Sequence, residues 1–377
     1  MSDLDRAIDH LSRYPSVYHD ALAATVVVSP RVAQVAKSYP LLFLLLATGY
    51  ATPADRQRAI AAADDGRPLQ DIANALSLPL CLRKVSPEAC VQLPFAAWSR
   101  EASRALGGMI PKTPEAASCW LKAIFQGNAD CDEAFALWLA RQKPLFSGTK
   151  LPEHALRALA TYAWCSRFSP LPLSQPLSVP WQPDYGLDAA CARAGHWARE
   201  MAIVADLEPE GLTDPWISPA VVMGFTFRPI LTPEALIDEA RVMINCVANY
   251  SDRMARGGSR LFSMLSRDRH VATVEVVWSG PKPRYAIQDI RGPRNVSCPE
   301  DAVRAAYEWV RRHAPDHGPG PLKEPTRRMK LIGALLAPYC AAHPAVTAES
   351  ARNAVNLLLQ ADLVRTELRL PMRSKAS

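Results

Sequence analysis

Apolar residues recur at helical spacing through roughly the first 160 positions, whereas strict alternation is concentrated later, between Ser259 and Arg291. AIDHLSRY, SPRVAQVAKSYPLLFLLLATGY, TPADRQRAIAAADDG and LQDIANALSLP each join helical periodicity to a proline, glycine or capping residue. Segments around Ala96–Leu106, Pro114–Phe125, Asp132–Arg141 and Leu156–Arg167 continue the pattern. Trp98, Trp120 and Trp138 recur, but no self-similar repeat surrounds them, so an irregular helical domain is expected rather than a solenoid.

The most locally consistent stretch is Thr232–His313. Thr232 reads as an N-cap with Pro233 at the first helical position, and Gly257-Gly258 as the stop of one long helix. Leu236, Ala240, Met243, Val247, Tyr250 and Met254 form its apolar stripe. Three alternating runs follow, Ser259–Ser266, Val271–Ser279 and Arg284–Arg291, with RDRH and GPKP between them as hairpin breaks. Val221–Ile230 reads as a strand entering this block. Ser297 with Glu300 reads as a capping box opening a helix Pro299–His313.

The flanks are less regular. Phe168–Gly186 is dense in proline, which forbids a regular helix and suits an extended linker whose Leu, Val and Trp181 pack along a surface. A helix, Leu187–Asp206, follows it. HAPDHGPGP breaks the chain again. Beyond it lie a helix near Pro325–His343, a second in TAESARNAVNLLLQADLV and a short strand, RTELRL. These last two resemble the end of a winged helix-turn-helix, and a short amphipathic tail helix would look the same. The expected class is therefore α+β: a helical region 1–167, a linker 168–186, a meander core flanked by helices at 187–313, and a helical C-terminal region 314–377.

The 377 residues leave room for two domains, and 49% hydrophobic with 21% charged residues is ordinary for a globular chain. The longest apolar run, Pro40–Ala51, falls short of the about 20 residues a bilayer span needs and reads as a buried helix. Nine scattered cysteines without a CxxC pair suit reduced thiols in a cytoplasmic protein better than disulfides or a zinc site. The net charge of +6 is uneven. Between Ser251 and Arg294 stand nine Lys or Arg and four acids, an excess that attracts phosphates, and a solvated basic face would read alike. Lys323, Arg327, Arg328 and Lys330 add to Arg311 and Arg312. Nucleic acid or a nucleotide at the basic meander is thus one expected partner, and a protein at the N-terminal helices another. No Walker loop, GxGxxG, HExxH or GxSxG occurs, and nothing names a cofactor or a metal.

Candidate chemistry follows from alternation. If Ser279 pairs with Arg284, counting back places Glu275 opposite Gln288, within hydrogen-bonding reach. Ser263 rather than Phe262 is expected to face Glu275, because a glutamate beside phenylalanine lacks a partner. Cys246 and Tyr250 share a helix face, so Cys246, Tyr250, Ser263, Glu275 and Gln288 converge if that face covers the sheet. Such a carboxylate serves as a general base, binds a ribose or amide, or merely fixes strand register. Arg291–Asn295 reads as an anion-cradling loop, with Arg291, Arg294 and Asn295 as contacts, or as a plain turn. A Cys246 nucleophile would need a histidine such as His270, which this reading leaves in a turn.

Cys246-Val247, Tyr250, Gly257 or Gly258, Ser263, Thr273 with Glu275, Gln288, Gly292 and Asn295 match in order and spacing a known pattern. On these residues the block resembles the PcfJ-like family of conjugative plasmids, with Asn245 standing where that family carries histidine. The resemblance implies a mobile-element setting, plasmid or phage, and no settled activity. Two readings remain open. One is an enzyme, or a degenerate one, acting on a nucleotide, nucleic acid or modified polymer through Glu275. The other is a non-catalytic nucleic-acid or protein binding module. A cleft opening onto Glu275 favours the first.

Overall fold

The computed structural model describes residues 11–48, 52–91, 93, 97–146, 151–173, 179–279, 284–322, 328–368 and 370. The α+β expectation holds: helices fill the N-terminal half, an antiparallel sheet follows, and helices close the chain. The described residues of Met1–Trp164, Trp181–Ala192 and Tyr339–Ser377 form one compact unit, and those of Cys165–Pro180 and Arg193–Pro338 a second. From Tyr339 onward the C-terminal residues group with the N-terminal helices, whereas the helix Arg328–Leu335 belongs to the second unit.

In the first unit, helices start where capping residues place them. Ser29, Thr52, Thr113, Asp132 and Thr347 each accept a backbone N–H from the first turn they precede. The apolar run forms the helix Pro40–Thr48, buried from Pro40 to Leu46, and no described helix is long and apolar enough to cross a membrane. Trp181, in the proline-dense stretch, packs edge-on against Phe135 and Trp138. Asp130 accepts from Arg157 and Gln126, while Tyr339 donates to the Asp130 carbonyl; this clasp joins helices distant in sequence. The first three residues of the expected strand RTELRL are instead helical, Arg365 to Glu367 closing the helix Ala361–Glu367. Gln360–Leu363 and Gln360–Val364 backbone bonds continue the turn, so the winged helix-turn-helix likeness loses its strand.

The second unit holds a five-stranded meander, β1 (Ala220–Val222), β2 (Phe225–Ile230), β3 (Arg260–Ser266), β4 (Arg269–Ser279) and β5 (Arg284–Arg291), hydrogen-bonded in that order. The single expected strand Val221–Ile230 is a hairpin, because Met223 and Gly224 both take positive φ and turn the chain in two residues. Arg267 and Asp268 do the same between β3 and β4, so Arg269 and His270 belong to a strand and not to a turn. The GPKP loop lies outside the described residues.

Each face of the sheet is covered. On one, Trp309 of the helix Glu300–His313 stacks on Phe227 at 4.5 Å and meets Phe262 edge-on at 4.6 Å, over Val274 and Val276. That helix begins after Pro299 without a side-chain cap, so Ser297 and Glu300 form no capping box. On the other face, Leu261 and Ile230 meet Leu236, Ile237, Val247 and Met254, with Ile203 from the helix Leu187–Leu207. The long helix expected over Thr232–Arg256 is broken. Thr232 caps it as expected, but it ends at Met243 because Ile244 sits in the left-handed region (φ 51, ψ 43). That conformation costs about 1–2 kcal/mol for a residue with a β-carbon. Asn245 then caps a 3-10 turn, Cys246–Tyr250, and a short helix Ser251–Ala255 ends in a Schellman pair at Gly257 and Gly258.

Trp309→Ala should cost about 3–5 kcal/mol, since both aromatic partners lose their packing. Urea unfolding followed by tryptophan-independent circular dichroism measures it; a loss below 1 kcal/mol would mean that Trp309 does not anchor that core.

Candidate functional site

Two β-bulges decide which side chains meet on the inner face of β3, β4 and β5. Ser279 pairs with Arg284 as the alternation requires, and the count holds as far as Val276 opposite Ile287. One extra residue then enters β5, so Glu275 faces Asp289 and Gln288 is left out of the pairing, exposed to solvent. The Glu275–Gln288 pair expected from uninterrupted alternation is therefore absent. The second bulge lies between Met264 and Leu265. It pairs His270 with Leu265 and so turns the imidazole onto the face of Ser263 and Thr273.

Ser263 is on the expected face, but Thr273 stands opposite it and Leu261 stands opposite Glu275. The partner of Ser263 is a carboxylate that alternation within the strands does not reveal. Glu239, on the helix Pro233–Met243, is 2% exposed. Its Oε2 accepts from Ser263 Oγ at 2.5 Å and from His270 Nδ1 at 2.8 Å, and its Oε1 accepts from Thr273 Oγ1 at 2.6 Å. Asn245 Nδ2 donates to Thr273 Oγ1 at 3.2 Å, while its Oδ1 accepts from Val247 N–H. Sequence held one signal for Glu239: it falls between Leu236 and Met243, on the stripe that faces the sheet.

Serine, histidine and glutamate in contact do not here form a nucleophilic relay. A relay needs the two imidazole nitrogens to face the hydroxyl and the acid separately. Both groups instead meet Nδ1, Ser263 Oγ at 3.0 Å. Thus Ser263 donates straight to Glu239 and is a buried structural hydroxyl. His270 is held by the same network and does not line the cleft to which the exposed Cys246 thiol belongs, so it is not placed to activate that thiol.

Five of the eight predicted residues do converge elsewhere. Cys246, Tyr250, Glu275, Arg291 and Asn295 line a cleft of about 280 Å³, together with Asn245, Thr273 and Asp289. Glu275 is 4% exposed, and Arg253 Nη1 lies 2.9 Å from its Oε1, yet this oxygen lacks a hydrogen bond of proper alignment. Burial pushes the Glu275 carboxyl above the ordinary glutamate value, opposed by Arg253 and the Ser259 hydroxyl and assisted by Asp289. Burial and then the charge of Glu275 raise the Tyr250 phenol, so it stays a hydrogen-bond donor at neutral pH. Arg291 Nε donates to Asp289 Oδ2 at 3.0 Å, which holds its guanidinium at the cleft.

The anion-cradling loop takes a different form from the expected one. The amides of Gly292, Asn295 and Val296 bond within the loop, to the carbonyls of Val296, Gly292 and Pro293. They are not offered to a ligand, and Arg294 is exposed outside the cleft. The basic excess also has internal uses. Arg260 is buried, donating to the carbonyls of Asp214, Met254 and Ser259 and lying over Trp216; Arg253, Arg256 and Arg291 pair with Glu275, Asp252 and Asp289. Among the described residues no three His, Cys, Asp or Glu side chains gather as metal ligands. No protein family, no curated protein and no solved structure matches the chain.

Glu239→Gln should destabilise the fold by about 1–3 kcal/mol, because an amide nitrogen would face a donor and leave it unpaired. Ser263→Ala should cost less, since His270 still donates to the same oxygen. Urea midpoints of the two variants test this order, and a neutral Glu239→Gln would overturn it.

Proposed function

We propose that the second unit is a catalytic module in which Glu275 transfers a proton to or from an oxygen of a nucleotide, nucleic acid or modified polymer. The observation that carries this is the contrast between the two buried glutamates. Glu239 has both oxygens saturated by donors, as a structural carboxylate should. Glu275 is equally buried but faces a cleft with Oε1 short of a hydrogen bond. A carboxyl that burial holds above its ordinary value suits general acid–base work. Tyr250 and Arg291, on the same cleft, would orient the substrate and meet developing negative charge. The PcfJ-like resemblance would set this activity in a mobile element, and Asn245, in place of that family's histidine, lines the cleft and ties it to Thr273.

Glu275→Gln keeps the shape and removes the base. The folded pKa of Glu275 is raised, so the folded state binds the extra proton. Its contribution to stability is complete below the ordinary value of 4.5 and is lost as pH rises through the folded value. The variant should lack that decline, and its melting temperature at pH 8 should equal or exceed that of the native chain. The phenotype conferred by the gene should disappear. A Glu275→Gln protein that melts early, or one that melts normally and retains full phenotype, would remove Glu275 as a catalytic group.

A further inference from the structure

A second, larger hollow of about 620 Å³ adjoins the Glu275 cleft and shares Asn245, Cys246 and Asn295 with it. This volume suits a small ligand, for which pockets run about 300–1,000 Å³. Arg193, His196 and Arg199 reach it from the helix Leu187–Leu207, three residues apart and hence on one face. Arg241 reaches it from the helix Pro233–Met243. The only acid lining it among the described residues is Glu200, so three guanidiniums exceed one carboxylate by two charges. Ile203, Ile237, Ala240, Ile244 and Ala248 make the rest largely apolar.

Arg199 donates toward His196 Nδ1 at 3.1 Å, which makes that nitrogen an acceptor and leaves the ring's hydrogen on Nε2. Burial presses the Arg199 guanidinium pKa down, and Glu200 opposes this. A half-buried cation of this kind gains from a dianion close by. The strained Ile244 stands directly before Asn245, at the wall common to the two cavities. The helix break therefore stands where the cationic hollow adjoins the cleft that holds the Glu275 carboxyl.

We propose that this hollow binds the diphosphate of a nucleotide-sized phosphate ester, whose remaining part passes Asn245 and Asn295 to reach Glu275. The reading of substrate rests on the catalytic role given to Glu275 above, whereas phosphate binding itself does not. Guanidiniums from two helices grip a diphosphate as bidentate donors, and the apolar wall covers an uncharged ring. A polymer backbone is less well matched, because these cations line a cavity and not an extended ridge.

Calorimetric titration of the full chain with ADP, and with pyrophosphate alone, tests the proposal. Both probes should bind, and Arg193→Ala and Arg241→Ala, at exposed positions, should each weaken them roughly tenfold or more. Arg241→Lys should recover part of the loss, which separates a lost contact from a lost fold. Glu275→Gln should leave pyrophosphate affinity within about twofold, since it removes no charge-assisted bond to the phosphates. No heat from either probe at millimolar concentration would overturn the site. Undiminished binding by the Arg193→Ala, Arg241→Ala double variant would also overturn it, as would binding of oligonucleotides alone. Pyrophosphate binding as expected beside a fully active Glu275→Gln would keep the phosphate site and sink only the catalytic reading.

Discussion

The carboxylate of Glu239 ties the helix Pro233–Met243 to β3 and β4, and the candidate cleft depends on that tie. A charge with 2% exposure is tolerable only when donors saturate it, and Ser263, Thr273 and His270 do so from two strands. The network continues through Thr273 to Asn245, which caps the next turn. Cys246 and Tyr250 are thereby carried to the cleft beside Glu275. Loss of the tie would release the helix from the sheet and misplace the lining of that cleft.

The bulges supply the second constraint. An uninterrupted β4–β5 ladder would set a neutral amide against Glu275, and an uninterrupted β3–β4 ladder would turn His270 toward the Trp309 core. One inserted residue in each ladder exchanges Gln288 for Asp289 and moves His270 to Glu239. Both changes concentrate ionisable groups on one face of the sheet and leave the other to Phe227, Phe262, Val274 and Val276. Asp289 then assists the rise of the Glu275 pKa, so the bulge reaches into the chemistry of the site.

Cations that suggested a broad basic surface are in part structural. Arg260 is a buried clamp on three carbonyls, and Arg328 ties Asp206 at 2.6 Å while Ser251 donates to the same carboxylate. The arginines of the hollow beside the cleft lie outside the stretch whose composition drew attention. Three sit on helices whose spacing alone shows only an amphipathic face.

Periodicity and capping determined the α+β class and several element ends, because those signals are local: Thr232 caps its helix, and Ser279 meets Arg284. Alternation also placed Ser263 and Glu275 on one face. Tertiary structure decided what these residues touch. Bulge positions depend on how the sheet curls against its two helical layers, and no residue near Gln288 announces one. The break at Ile244 defies local preference, since β-branched residues avoid positive φ. It persists where Asn245 bonds Thr273, 28 positions onward. Glu239 became a structural carboxylate only where the sheet, distant in sequence, brought it three donors.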